Sequence, residues 1–115
     1  LLKSCAEGAM DLSLASLSDQ HCVGVVLATS DYPRTSTPLQ GLNPDVALGE
    51  GVQAFWGGST LEHGTVRSSG GRVLTVSALG DDLAAARARA YDAVRALADR
   101  TGTKDLTYRT DIAKF

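Results

Sequence analysis

The stretch from Ser69 to Asp82 (SGGRVLTVSALGDD) narrows the possible folds more than any other part of the chain. Gly70-Gly71 makes a tight turn and Arg72 leaves it. The largely apolar, β-branched run Arg72 to Leu79 predicts a strand. Gly80-Asp81-Asp82 then stops the strand and supplies a carboxylate to cap a helix. A strand delivered through one glycine into a capped helix must lay that helix back across a sheet. Everything upstream reads as short strands and loops, and everything downstream as one helix and a short tail. That order is the pattern of an α+β domain.

The helix is predicted from Asp81 or Asp82 to about Arg100. Leu83, Ala86, Ala90, Val94 and Leu97 fall on one stripe, while Arg87, Arg89, Asp92, Arg95 and Asp99 face out. The many alanines predict close packing on a sheet, Gly102 ends the helix, and Leu106 to Arg109 returns as a short strand. Upstream, His21 to Thr29 (HCVGVVLAT) reads as a strand buried on both faces, with Cys22 in the core. Gly24 in its middle marks a bulge or a close neighbour. Ser30 to Gly41 is a polar, proline-punctuated loop, and Asn43-Pro44-Asp45 predicts a single helical turn to Leu48. Gly51 to Trp56 is a further strand. Ser59 to Leu61 pairs with Thr65 to Arg67 as a hairpin, Gly64 supplying the positive φ. Leu1 to Ala15 is weakly helical through Leu1, Leu2, Cys5, Ala9 and Leu12, against a cost of about 1 kcal/mol for Gly8. The expected class is therefore α+β. Short antiparallel strands form a small sheet or barrel-like sandwich under one long C-terminal helix, with an N-terminal helix ahead of them.

Composition excludes several functions. The chain has 115 residues, 43% hydrophobic and 21% charged, with a net charge of −2, which reads as one soluble globular domain. Its lysines and arginines are scattered, which argues against a nucleic-acid partner or a polybasic membrane contact. The longest apolar run, Cys22 to Ala28, is far too short to span a bilayer, and no signal-peptide pattern opens the chain. Cys5 and Cys22 lack metal-ligand spacing and read as reduced thiols of a cytoplasmic protein. The first residues, Leu-Leu without a Met, look like mid-helix, so a piece of a longer protein is expected.

Few residues carry candidate chemistry. Gly70 and Gly71 allow a backbone to approach a ligand, and Arg72 directly after them offers a fork for phosphate or carboxylate. The same three residues also read as a hairpin turn with a surface arginine. Tyr32-Pro33-Arg34 presents a phenol and a cation to a ligand, or is a solvated connection. Trp56-Gly57-Gly58-Ser59-Thr60 lacks the lysine and helix start of a phosphate loop and reads as a bend between strands, with Trp56 a large core or interface residue. His21 and His63 have no ligand companions, so no metal site is expected. No nucleophile–base arrangement emerges, so no catalytic residue is assigned.

Five motifs in order are similar to the C-terminal domain of the phosphoribosylamine–glycine ligase (glycinamide ribonucleotide synthetase) family of ATP-grasp enzymes. They are Val25-Val26-Leu27-Ala28 with Tyr32-Pro33, Phe55-Trp56-Gly57-Gly58-Ser59, Gly70 to Val76 running into Ala78-Leu79-Gly80-Asp81, Ala88 to Val94, and Tyr108 to Ile112. Asp31 and Arg34 depart from it by standing where the family has glycines, and Trp56 replaces a histidine. The resemblance implies ATP-dependent joining of glycine to 5-phosphoribosylamine through a glycyl phosphate, with magnesium. It places the ATP and Mg2+ ligands in upstream domains absent from this chain, which are then its partners. Residues 1–18 would end the ATP-grasp unit and 19–115 form the closing domain. Gly70, Gly71, Arg72 and Tyr32 would face substrate. Two rivals remain open: an interaction module without chemistry, and the closing domain of another carboxylate–amine ligase.

Overall fold

A computed structural model describes residues 1–43, 45, 48–101 and 105–115. Six strands and two α-helices follow in the order α1 (Leu2–Ala6), β1 (His21–Thr29), β2 (Val52–Trp56), β3 (Ser59–Glu62), β4 (Thr65–Ser68), β5 (Arg72–Gly80), α2 (Leu83–Thr101) and β6 (Leu106–Tyr108). Strands β2-β5-β1-β6 form a four-stranded sheet, and β3-β4 form a separate hairpin. Every pairing is antiparallel, and the α+β expectation holds.

Alternation decides which face of the sheet is covered. In register, Val23 pairs with Ala78, Val25 with Val76 and Leu27 with Leu74. These residues are buried, together with Ala86, Ala90, Val94 and Leu97 of α2, which lies across β1 and β5. The predicted apolar stripe is thus the packed one, and its alanines let the helix approach closely. Gly80 shows how closely: a Cβ there would overlap the backbone of Ala86. Asp82 is the capping carboxylate, accepting from the Ala85 N–H at 2.7 Å. Arg87, expected to face out, is half-buried and donates to the Ile112 and Thr110 carbonyls, each at 2.9 Å. Tyr91 donates to the Arg109 carbonyl and accepts from the Ile112 N–H. Together they pin the C-terminal segment beside β6.

Three expectations need correction. Strand β1 is buried on one face only. Cys22, Gly24 and Val26 are exposed on the other, because α2 covers a single side and no described residue covers the second. Nor does Gly24 mark a bulge: a Cβ there would make ordinary contact with Thr75 at 3.6 Å. The register shift lies instead between Leu27 and Ala28, and around it Val73 and Leu74, and likewise Ala28 and Thr29, are buried in succession. Finally, the N-terminal helix does not reach Ala15. It ends at Ala6, Gly8 takes φ +82°, and only a short 3-10 turn (Leu12–Leu14) follows. None of its residues is buried, and so short a helix gains little without a packed face.

The hairpin turns at His63 (φ +52°) and Gly64 (φ +78°), as the spacing predicts. The expected helical turn at Asn43-Pro44-Asp45 and the stop at Gly102 fall partly or wholly outside the described residues. Of the first, Asn43 Oδ1 accepting from the Asp45 N–H is seen.

Candidate functional site

The end of β1 and the start of β5 lie side by side, and three connections converge there. The turn Ser69-Gly70-Gly71 leads into β5, the bend Gly57-Gly58 leaves β2, and the Tyr32 loop leaves β1. Backbone bonds join them. Thr29 N–H donates to the Gly71 carbonyl at 2.7 Å, Gly57 N–H to Val73 at 2.8 Å, and Ser69 N–H to Gly58 at 2.8 Å. Between them opens a cleft of about 540 Å³, with Val26 and Thr75 of the uncovered sheet face in its lining. That is within the usual range for a small-molecule site.

All four residues singled out in the sequence, Gly70, Gly71, Arg72 and Tyr32, line this one cleft. The pairing of β1 with β5 brings them together across the intervening chain. Gly71 is glycine for a local reason: a Cβ would overlap the Tyr32 ring and come within 3.1 Å of Ser36 Oγ. Gly70 differs, since a Cβ there would meet nothing within 4 Å. Gly57 is filled from behind, its absent Cβ lying 2.6 Å from the Arg72 carbonyl oxygen. Arg72 is exposed. Among the described residues its guanidinium has no hydrogen bond or ion pair, so its donors are available to an anion.

The Tyr32 loop is built on Asp31. Oδ2 of Asp31 accepts from the hydroxyls of Thr35 and Thr37, each at 2.5 Å, and from the Thr37 N–H at 3.2 Å. These bonds, Thr35 first and then Thr37, hold the Asp31 carboxyl far below the usual carboxylate range. Oδ1 and the neighbouring Thr29 hydroxyl are buried without a partner in hydrogen-bond geometry. Leu39 anchors the far end of the loop. Its N–H donates to Ser68 Oγ at 2.8 Å, and its carbonyl accepts from the Ser68 N–H at 2.9 Å. Neither Asp31 nor Arg34 takes a positive φ, so this loop does not require glycine at either place.

Sequence reasoning missed Ser36, Val26 and Thr75 as cleft residues, and read Gly57-Gly58 only as a bend. Val26 carries no local signal, being one more apolar residue in an apolar run. Among the described residues, no three His, Cys, Asp or Glu side chains come together as a metal-holding group. Cys22 lies on the open face, its Sγ 3.1 Å from Ser77 Oγ. Trp56 is half-buried against the core.

Fold and cleft define a small α+β domain with one helix-covered face, and one open face that runs into a cleft walled by glycine and bordered by an unpaired arginine. The family model described as phosphoribosylglycinamide synthetase, C domain, matches residues 22–115. The chain belongs to this family. A phosphoribosylamine–glycine ligase of Streptomyces coelicolor is 42% identical over 119 residues, covering 98% of this chain and 27% of its own length. Ligases of the same name from Neisseria meningitidis serogroup A and Corynebacterium ammoniagenes are 37% and 35% identical, over 98% and 99% of this chain. The chain spans about a quarter of the length of these relatives.

Proposed function

We propose that this chain is the closing domain of an ATP-dependent ligase that joins glycine to 5-phosphoribosylamine, acting in the cytoplasm as one part of a longer enzyme. The observation that carries the reading is its family membership, together with similarity to ligases of that name over nearly its whole length. In this reading residues 19–115 are the closing domain and residues 1–18 the end of the preceding ATP-grasp unit, whose domains are its partners.

ATP would supply the energy for joining the glycine carboxylate to an amine, and Mg2+ would offset the charge of its phosphates. The described residues here do not fit either group: they include no cluster of metal donors and no lysine-bearing phosphate loop. Those groups belong to the rest of the enzyme. This chain's own contribution is a wall. Arg72 offers two or more N–H donors to the phosphate of the ribosylamine, Gly70 leaves room beside it, and Tyr32 closes the side over Gly71. No proton transfer is assigned to any of them.

The test is ADP release dependent on glycine and phosphoribosylamine, measured with magnesium on this chain alone and on a chain carrying it behind an ATP-grasp segment. Activity is expected only in the longer protein, and activity in neither, with both folded, would sink the reading. Within an active ligase, Arg72→Ala should raise KM for the ribosylamine roughly 10- to 100-fold, since a hydrogen bond to a charged group is worth about 1.5–3 kcal/mol. An unchanged KM would remove Arg72 from the site.

A further inference from the structure

Tyr32 lies three residues beyond the end of β1 in an exposed loop, yet its ring lies against Gly71 across the mouth of the cleft. An exposed aromatic on a polar loop does not hold one position without something that fixes its backbone. The only hydrogen bond from the Tyr32 main chain among the described residues runs from its N–H to the Thr29 carbonyl, at 3.0 Å. That bond fixes the entry to the loop, and the Thr35 N–H donating to the Asp31 carbonyl at 3.1 Å adds one main-chain turn, but neither reaches Ser36 or Thr37.

The remainder is supplied by the residue beside it. We infer that Asp31 is a positioning residue for the cleft: its carboxylate gathers Thr35 and Thr37, closes residues 31–37 into a ring, and so holds Tyr32 and Ser36 against Gly71. This rests on the reading of the cleft given above and goes beyond it by naming what shapes the wall.

The connections form a closed circuit. Thr29 bonds to Gly71, Asp31 to Thr37, Leu39 to Ser68, and the backbone from Ser68 returns to Gly71. Ser68 is fully buried, so one side of the circuit is fastened to the body of the domain. Among the described residues, main-chain bonds would still tie Ser30, Tyr32 and Thr35 without the carboxylate link, while Ser36 and Thr37 would lose their tie to the start of the loop. A loop with internal ties has fewer conformations to lose when its side chains take one arrangement. Three bonds to one carboxylate oxygen are charge-assisted, and they persist in an exposed loop where neutral bonds would exchange with water. The lowered pKa of Asp31 follows from the same bonds: a carboxyl tied this way stays ionised through the ordinary pH range.

Asp31 touches no part of the substrate in this scheme and acts through Tyr32. The test therefore needs a readout of ring position that does not depend on turnover. In the 115-residue chain, cross-relaxation between the Tyr32 ring protons and the Gly71 α-protons should be strong. It should vanish in Asp31→Ala and in the double variant Thr35→Val, Thr37→Val, while amide shifts of β5 and α2 stay in place. Persistence of the cross-peak in both variants overturns the inference. In an active ligase carrying this chain, Asp31→Ala should raise KM for the ribosylamine roughly tenfold with kcat nearly kept. If the cross-peak is lost while KM is unchanged, Asp31 does position Tyr32, and it is the reading of the cleft as a substrate wall that fails.

Discussion

The two faces of the four-stranded sheet are made from the same strands, often from adjacent residues, and they end in opposite conditions. Val25 and Leu27 are 0% exposed under α2, whereas Val26 between them is 45% exposed, and Phe55 on β2 is 55% exposed. The covered face is finished within this chain. Helix, strands and C-terminal segment fasten one another through apolar contact and the Arg87 and Tyr91 hydrogen bonds. The open face ends in a cleft whose walls are loops, ordered by backbone bonds between the connections and by hydrogen bonds to the Asp31 and Ser68 side chains. On the proposed reading, stability belongs to the first face and recognition to the second, so substitutions in the two should fail in different ways.

The largest effect is expected beneath the helix. Leu27→Ala removes one of the two largest fully buried side chains and should destabilise the fold by about 2–5 kcal/mol. Chemical denaturation with a linear extrapolation measures it, and a loss below about 1 kcal/mol would mean that α2 does not seal this face. Gly57→Ala comes next and sits on the boundary between the faces. The new Cβ would lie 2.6 Å from the Arg72 carbonyl oxygen, and backbone there cannot swing aside as a side chain can. A cost of about 1–3 kcal/mol is expected, with the cleft disturbed as well. If Gly57→Ala instead leaves the unfolding midpoint in place, the bend is looser than its bond to Val73 indicates.

How much of this could be read beforehand follows the same division. Elements whose cause is local were legible. Asp82 caps a helix, Gly64 turns a hairpin, and an alanine stripe lies on a sheet. The open face was not legible, because His21 to Thr29 is apolar on both sides of its alternation, and nothing in it distinguishes Val25 from Val26. Only the number of covering layers decides that, and among the described residues α2 alone packs on the sheet. The N-terminal pattern misled in the opposite way, since helical spacing without a packing partner gives five residues of helix and no core. In the cleft, the family resemblance pointed to Gly70, Gly71, Arg72 and Tyr32, and the fold assembles them. Ser36 and the threonines around Asp31 were invisible because their part depends on which loops meet, and that follows from strand pairing far away in sequence.

The smallest expected effect on stability separates the two faces best. Three glycines near the open face or the helix are glycine because something occupies the place of their Cβ: the Arg72 carbonyl at Gly57, the Tyr32 ring at Gly71, the Ala86 backbone at Gly80. Gly70 has no such occupant and no positive φ. The chain's own packing therefore gives no reason for glycine there, and Gly70→Ala should change stability by less than about 0.5 kcal/mol. Restriction of the unfolded chain works slightly in favour of the alanine. If glycine is there so that a ligand can approach the backbone, the same substitution in an active ligase should raise KM for the ribosylamine while the unfolding midpoint stays fixed. Equal loss of stability and activity would place the reason within the fold. A variant unaffected in both would leave Gly70 as ordinary turn backbone and throw the recognition role onto Arg72 alone.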